Sequence, residues 1–151
     1  MKFRNLLLLL IPILLAACGS PEALDVRPFH IREVKNKGGG EPLIDAEQKR
    51  RMYGAVGVRE QEQRLGQYYT VNWHDEAVGQ PVRVIFEYQQ ASSASKVLRQ
   101  VQEFDGSSRK GSAEFRVIGE DYLEGGRVLS WRCTLERGGQ EVASRHSYLW
   151  Q

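Results

Sequence analysis

The sequence of 151 residues has few cysteines, almost no net charge and no long apolar segment, and each shortage excludes a class of protein. Two cysteines, Cys18 and Cys133, cannot form the network of several disulfide bonds that supports many small secreted domains. The 21 Lys and Arg residues nearly balance the 19 Asp and Glu residues, so nothing argues for binding to nucleic acid. The apolar run from Leu6 to Leu15 is about ten residues long, whereas a membrane-spanning helix needs about twenty. It is therefore not a permanent transmembrane anchor.

Motifs of catalysis and metal binding are also missing. The sequence contains no G-x-S-x-G elbow, no H-E-x-x-H helix and no glycine-rich loop between a strand and a helix. Its three histidines, His30, His74 and His146, do not form an H-x-x-x-H pair. We therefore predict no metal site, no cofactor and no enzymatic activity. His74 and His146 are the only candidate bases for the competing hypothesis of a hydrolase assembled across loops.

The first twenty residues have the three-part layout of a secretory signal. Lys2 and Arg4 precede the apolar run, and small residues follow it. The sequence Leu15-Ala16-Ala17-Cys18 resembles the lipobox of bacterial lipoproteins. That resemblance implies cleavage between Ala17 and Cys18, a thioether-linked diacylglycerol on Cys18 and an acylated amino terminus. Two or three acyl chains hold a protein stably at a membrane, at about 0.8 kcal/mol for each buried CH₂.

Cleavage would change the charge and the cysteine count of the chain. Removing residues 1–17 leaves 134 residues and takes away Lys2 and Arg4, so 19 cations face 19 carboxylates. Cys133 would have no partner within the chain, and its alternation with other apolar residues predicts a small buried side chain. In the lipoprotein family, Gly19 and Ser20 after the modified cysteine imply the periplasmic face of the outer membrane.

The segment after the signal is predicted to be a tether followed by a short helix. Residues 18–43 contain prolines and the run Gly38-Gly39-Gly40, which are typical of a flexible, lipid-anchored linker, although the stretch Val26 to Val34 is apolar enough to dock on the domain. Asp45 is a predicted N-cap for a helix from Ala46 to Tyr53. We interpret the basic run Lys49-Arg50-Arg51 as the solvated face of this helix. The pattern from Ala55 to Arg64 fits either a strand or a helix, so residues 44–65 form a helix and a possible first strand.

From residue 66 to residue 151 the sequence alternates like a series of strands separated by turns. The alternation predicts Tyr69, Val71 and Trp73 on one face of the first of these strands. In the later strands it predicts one shared face for Val82, Val84, Phe86 and Tyr88, one for Ala113, Phe115 and Val117, and an inward face for Leu129, Trp131, Cys133 and Leu135. Gly119 to Gly126 is predicted to be a turn. The connections are too short for parallel crossovers, so the strands pair in an antiparallel manner. One face of each strand is apolar, which requires two sheets to pack together. The sequence therefore predicts an all-β protein, an antiparallel β-sandwich of about seven strands. The predicted strands span Tyr68 to His74, Pro81 to Gln90, Lys96 to Phe104, Ser112 to Ile118, Arg127 to Glu136 and Glu141 to Trp150.

The region from Gly66 to Gln151 resembles an immunoglobulin-like or fibronectin-III-like domain. The resemblance is carried by Tyr69-Thr70-Val71-Asn72-Trp73, by the strand from Pro81 to Tyr88 and by the closing hairpin at Gly138-Gly139. The chain lacks the paired cysteines of antibody domains. As a whole it is similar to small bacterial lipoproteins, a similarity that implies no particular activity.

Aromatic residues give the sequence its only candidate contact site. Tyr68 falls on the face opposite Tyr69, so we expect it to be exposed, and Trp150 lies in the last predicted strand. We expect a non-catalytic interaction or accessory module, held in the cell envelope by the acyl chains on Cys18 and bound to an envelope protein. The alternative is a carbohydrate or small-ligand binding domain, which needs a concave site lined by aromatic side chains.

Overall fold

The computed structural model of the protein describes residues 22–34, 41–93 and 95–150. In chain order its elements are β1 Leu24–Ile31, α1 Pro42–Met52, α2 Val58–Glu62, β2 Gly66–His74, β3 Val82–Gln90, β4 Leu98–Phe104, β5 Lys110–Ile118, α3 Glu120–Gly125, β6 Val128–Arg137 and β7 Gln140–His146.

Seven strands within the described residues form two antiparallel sheets. One sheet has the strand order β1-β2-β5, and the other has the order β4-β3-β6-β7. Strands β2 and β5 lie in one sheet while β3 and β6 lie in the other, which is the division of strands B, E, C and F in the immunoglobulin fold. In the larger sheet the edge strand β4 pairs with β3. The predicted antiparallel β-sandwich is confirmed.

The core is built from alternate side chains of both sheets. The ring of Phe86 on β3 stacks on Phe115 of β5 at 5.2 Å and contacts Tyr69 of β2 at 4.5 Å. Each such ring contributes about 1.5–3 kcal/mol by leaving water. The predicted inward faces of β2, β3 and β5 are confirmed, because their residues are all buried: Tyr69, Val71, Trp73, Val82, Val84, Phe86, Tyr88, Ala113, Phe115 and Val117.

The first strand lies inside the segment that the sequence predicts to be a tether. Residues 24–31 pair with β2 along their whole length, from Leu24 opposite Trp73 to Ile31 opposite Gly66. The tether prediction for residues 18–43 is therefore wrong for residues 24–31. The prolines of this segment favoured a tether. Pro28 is nevertheless tolerated in β1, because β1 is an edge strand with a neighbour on one side only.

Two short helices follow β1 and form what we call the helical arm, residues 41–65. Helix α1 begins at Pro42 with Glu41 as its N-cap residue, so the predicted start after Asp45 is wrong. Proline is favoured at the first helical position because its missing N–H would have no partner there. Residues 58–62 are helical as α2, and the Glu60 carboxylate accepts hydrogen bonds from the N–H groups of Val56 and Gly57 at its start. The seventh strand is therefore β1 and not the segment from Ala55 to Arg64.

Strand β6 departs from its predicted alternation near its start. The pairing with β3 skips Leu129, since Val128 lies opposite Gln90 and Ser130 lies opposite Gln89. A bulge of this kind shifts the side chains that precede it to the other face. Leu129, predicted to be inward, is therefore 39% exposed, while Val128 and Ser130 are buried.

The last predicted strand is also shorter than expected. β7 ends at His146, and the backbone N–H of Ser147 then bonds to the carbonyl of Trp131. Residues 147–150 form a turn. The predicted turn from Gly119 to Gly126 contains the short helix α3.

The two ends of the sandwich carry different structures. The end where β1 begins, called here the N-terminal end, carries the turns at residues 75–81, 105–109 and 138–139. The far end, where β1 ends, carries α3 and the connection from the helical arm into β2. Residues 147–150 follow β7, where the Ser147 N–H bonds to the Trp131 carbonyl and the Arg145 side chain reaches Leu24.

A buried arginine holds the N-terminal end together. Arg137 donates from Nε to Asp75 at 2.5 Å, and its Nη groups donate to the carbonyl oxygens of Gln80, Gly106 and Ser108 at 2.8–3.2 Å. One guanidinium thus fixes two separate turns to β6. Burial opposes ionisation of Asp75, but the hydrogen bonds from Arg137 and from the Ala77 N–H hold the pKa of this carboxyl below its usual value.

Candidate functional site

The predicted lipidation site, Cys18, and the cleavage site at Ala17 lie outside the described residues. What the structure adds is the position of the first described strand, because β1 begins at Leu24, six residues after Cys18. A chain of six residues spans at most about 20 Å. If Cys18 is lipidated, Leu24 lies within that distance of the anchored residue.

Tyr68 is buried, which corrects the prediction that it is exposed. Only 3% of its surface is accessible to solvent. Its side chain does point away from the core, as the alternation of β2 predicts, but the helical arm covers that face. The Tyr68 hydroxyl donates to the carbonyl oxygen of Arg64 at 2.8 Å, and burial raises the pKa of the phenol. Tyr68 is therefore unavailable for a partner that does not displace the arm.

Arg51 of α1 is the side chain that joins the arm to the sheet. Its guanidinium carbon lies 4.1 Å from the centre of the Tyr68 ring and 5.5 Å from that of Phe29. Its Nε donates to Glu47 at 2.6 Å, and its Nη1 donates to Glu114 of β5 at 2.9 Å. Cation–π contacts of this kind contribute about 0.5–2 kcal/mol each. The interpretation of Lys49-Arg50-Arg51 as a solvated face is thus wrong for Arg51, whereas Arg50 is exposed.

A polar pocket of about 370 Å³ opens beside Arg51, between the arm and the outer face of the β1-β2-β5 sheet. We call it the basic pocket. Its charged lining is dominated by guanidinium groups from three elements of the chain. The lining residues are Arg50, Arg51, Gln63, Arg64, Tyr68, Glu114, Arg116 and Ile118.

Two carboxylates sit among these arginines. Glu47 bonds to both Arg50 and Arg51, and Glu114 bonds to Arg51 and Arg116. Hydrogen bonding from Arg50 lowers the pKa of Glu47. Burial opposes ionisation of Glu114, but its hydrogen bond with Arg116 and the charge of Arg51 hold its pKa below the usual value. Both carboxylates are therefore ionised at neutral pH, and four guanidinium charges face two negative charges.

The second predicted contact residue, Trp150, is half-buried. The guanidinium of Arg132 lies 5.6 Å from the centre of its indole ring, on the outer face of the β4-β3-β6-β7 sheet. Its neighbours are more accessible, since Tyr148 is 97% and Leu149 is 64% exposed. These three residues form the C-terminal apolar segment, which keeps a surface role open for Trp150.

A shallow groove of about 570 Å³ runs beside Trp73 at the N-terminal end. Gly111 leaves room for the indole, because a Cβ at that position would lie 2.8 Å from ring atoms of Trp73. Trp73 is nevertheless buried, and Trp131 and Trp150 are not among the groove's lining residues. The described residues thus bring no second tryptophan into this groove.

The three histidines lie apart in the structure. His30 is 2.7 Å from the Tyr122 hydroxyl and links β1 to α3, and burial lowers its pKa. His74 approaches Glu76 at 3.3 Å, and His146 contacts the carbonyl oxygen of Ser147. Among the residues that the structure describes, no three His, Cys, Asp or Glu side chains are grouped as metal ligands.

The free cysteine, Cys133, lies in the core of the sandwich. It is fully buried, and burial raises the pKa of its thiol to about 12. A thiol with such a pKa is almost entirely protonated at neutral pH and is a poor nucleophile. The predicted small buried role for Cys133 agrees with this environment.

Comparison with protein-family models, with curated proteins and with solved structures found no match for the chain. In the described part of the chain, no helix has the length and apolar character needed to cross a bilayer. The geometry of the chain itself is thus the basis for a functional proposal.

Sequence reasoning missed Arg51 and Arg137 as the two organising charges. The signal for Arg51 was a basic triplet that looks like any solvated helix face, and the signal for Arg137 was a lone arginine before a hairpin. Their partners are distant in sequence, such as Glu114 for Arg51 and Asp75 for Arg137. No local sequence pattern could have identified either residue, because the pairing is between segments far apart in the chain.

Proposed function

We propose that the protein is a lipid-anchored envelope protein whose β-sandwich is a non-catalytic interaction module. The observation that carries the proposal is the lipobox sequence Leu15-Ala16-Ala17-Cys18, followed after six residues by the first strand of a folded domain. The residues Gly19 and Ser20 favour the periplasmic face of the outer membrane as its location. The burial of the Cys133 thiol and the separation of the histidines support a non-catalytic role.

The short connection to the anchor favours one orientation of the module. The N-terminal end of the sandwich is tied within about 20 Å of the membrane. Strand β1 has eight residues, so the far end lies roughly 25 Å beyond it along the strand direction. The module would thus stand close to the membrane instead of reaching from it on a long tether.

The exposed apolar side chains support a contact away from the turns of the N-terminal end. Eight of them lie on the helical arm, α3 or the C-terminal apolar segment, and these are Leu43, Ile44, Tyr53, Val56, Val58, Leu123, Tyr148 and Leu149. The three turns of the N-terminal end have one exposed large apolar side chain in the described residues, Val78. The partner that we propose is an envelope protein that contacts the C-terminal apolar segment. The exposed edge strand β7 precedes this segment and offers unpaired backbone groups.

The proposal is tested in cells by labelling and by crosslinking at matched positions. A clickable fatty acid is expected to label the wild type and to be absent from Cys18→Ser. A photoreactive amino acid at Tyr148 is expected to yield one discrete crosslinked species that disappears in Cys18→Ser, and the same amino acid at Val78 is expected to yield none. Labelling of Cys18→Ser would contradict the lipid anchor. Equal crosslinking at both positions would contradict a contact at the C-terminal apolar segment.

The carbohydrate or small-ligand alternative keeps one observation in its favour, the groove beside Trp73. The groove has a volume in the range of ligand pockets, but Trp73 is buried and offers no open ring face for a sugar to stack on. A thermal-shift screen with glycans separates the two hypotheses. Stabilisation that is lost in Gly111→Ala, where a Cβ would crowd the indole, would favour the alternative.

A further inference from the structure

The basic pocket contains hydrogen-bond donors that the folded chain does not use. Arg64 donates from Nη1 to the carbonyl oxygen of Arg51 at 2.8 Å, and Arg116 donates from Nε to Glu114 at 2.6 Å. These are the only hydrogen bonds from the two side chains within the described residues. A guanidinium carries five N–H donors in a planar fork, so most of the donors of Arg64 and Arg116 remain available.

The pocket also holds more positive than negative charge. Arg50, Arg51, Arg64 and Arg116 outnumber the two carboxylates of Glu47 and Glu114. Glu47 bonds to Arg50 and Arg51, and Glu114 is shared between Arg51 and Arg116, whose side chain is 60% exposed. Arg64 bonds to no carboxylate within the described residues. The unused donors therefore belong to Arg64 on the arm wall of the pocket and to Arg116 on its sheet wall.

The two walls differ in origin and have a fixed floor between them. Arg64 follows α2 in the helical arm, and Arg116 lies on β5 of the sheet. The floor is Tyr68, whose ring is held under Arg51 and whose hydroxyl holds the backbone of Arg64. Such a floor fixes the arm relative to the sheet, so the two arginines do not need to be brought together when a ligand binds. Preorganisation of this kind lowers the cost of binding.

We propose that the basic pocket binds an oxyanion of the phosphate class, held between Arg64 and Arg116 over the platform of Arg51 and Tyr68. Arginine binds phosphate through two parallel N–H donors, which a tetrahedral group with several oxygens can accept from both walls. The pocket volume of about 370 Å³ lies in the range of small-ligand sites. The phosphate group belongs either to a dissolved molecule or to a lipid headgroup. This site does not depend on lipidation of Cys18 and goes beyond the proposed interaction module.

Inorganic phosphate is the first probe, added to the full chain in an uncharged detergent. Arginine side-chain N–H signals are followed by NMR, with ionic strength kept constant by sodium chloride. We expect saturable shifts of the Arg64 and Arg116 signals. We expect binding at least tenfold weaker in Arg64→Gln/Arg116→Gln, because each charge-assisted hydrogen bond accounts for about a factor of ten.

The matched control removes two arginines that lie on or next to the same sheet but outside the pocket. Arg27 lies in β1, Arg32 directly follows this strand, and both are exposed, so Arg27→Gln/Arg32→Gln changes net charge by the same amount. Its phosphate affinity is expected to stay within about twofold of the wild type. Equal loss of affinity in both double variants would mean that phosphate responds to net charge only and would overturn the proposal. The single variants Arg64→Gln and Arg116→Gln give the same test if the double variant unfolds.

Nanodiscs distinguish the two sources of the phosphate group. If the Arg64 and Arg116 signals shift in phosphatidylglycerol nanodiscs but not in phosphatidylcholine nanodiscs, the ligand is an anionic lipid headgroup. If they shift with inorganic phosphate and with neither nanodisc, the ligand is a dissolved phosphate compound. If chloride shifts them as much as phosphate, or nothing shifts them, the pocket is a structural ion-pair cluster and the proposal is wrong.

Discussion

Two arginines of this protein, Arg137 and Arg51, are equally buried but differ in how their surroundings use them. Each is 8% exposed. Arg137 donates to one carboxylate and three backbone carbonyls, so its charge is paired and its hydrogen bonds are made within the fold. Arg51 lies on two aromatic rings between two carboxylates, and further arginines with unused donors stand beside it.

The difference shows that two buried arginines can have different roles in one molecule. A guanidinium with four of its five donors matched, as in Arg137, stabilises turns and leaves little for a ligand. A guanidinium within a cluster of excess positive charge stabilises an interface and also sets up a site that a negative group can complete. The N-terminal end is thus closed, whereas the pocket beneath the helical arm is open.

Acid is expected to have the largest effect, because it removes the partners of both arginines at once. The pKa values of Asp75, Glu47 and Glu114 are lowered in the folded protein. A lowered pKa means that the stabilisation is fully present above the pKa of the unfolded chain, about 4, and is lost as the pH falls through the folded value. Urea unfolding should therefore show a steep loss of stability below about pH 4. A smaller loss is expected between about pH 7 and pH 5, because the lowered pKa of His30 leaves the unfolded chain with more bound protons in that range. Stability that rises on acidification would contradict both ion-pair networks.

Loss of Arg137 is expected to be the most damaging single substitution. Arg137→Met leaves Asp75 and three turn carbonyls without their donor, and breaking a buried ion pair costs about 3–5 kcal/mol of unfolding free energy. Chemical denaturation measures it. Arg109→Met is the control, because Arg109 is an exposed side chain of the neighbouring turn and its loss should cost less than about 0.5 kcal/mol. Similar losses of unfolding free energy in the two variants would contradict the stabilising role assigned to Arg137.

Loss of Arg51 should cost less than loss of Arg137. After Arg51→Met, Glu47 keeps Arg50 and Glu114 keeps Arg116 as partners. The variant loses the cation–π contacts and the ion pairs with Glu47 and Glu114, about 1–3 kcal/mol by the same denaturation measurement. A loss as large as that of Arg137→Met would mean that Arg51 is not backed by neighbouring arginines, and the contrast between the two sites would fail.

The smallest expected effect is that of removing the Tyr68 hydroxyl, which tests how the arm is held on the sheet. Tyr68→Phe keeps the ring under Arg51 but removes the hydrogen bond to the Arg64 carbonyl, at a cost of about 1 kcal/mol. The matched control is Tyr148→Phe, because Tyr148 is almost fully exposed and should change nothing measurable. Faster amide hydrogen exchange in residues 58–65 is expected in Tyr68→Phe alone. Unchanged exchange would show that the arm is held by Arg51 without help from Tyr68.

The alternation of apolar residues determined the strands, the two-layer packing and most of the core. That signal is local, because each residue's face in a strand follows from its immediate neighbours. It therefore identified Tyr69, Val71 and Trp73 as inward, and it also identified the outward direction of Tyr68. It failed where local rules have exceptions, at the edge-strand proline Pro28 and at the bulge around Leu129.

Only the tertiary structure decided what covers each face and which charges meet. Whether the outward Tyr68 contacts water depended on a helical arm that precedes β2 in the chain and folds back over it. Arg51 and Arg137 acquired their partners across more than sixty residues, as with Glu114 and Asp75. The sequence by itself therefore determined a two-layer β protein. Contacts between distant segments produce the Arg137 cluster, the burial of Tyr68 and the basic pocket. No local sequence pattern predicts such contacts.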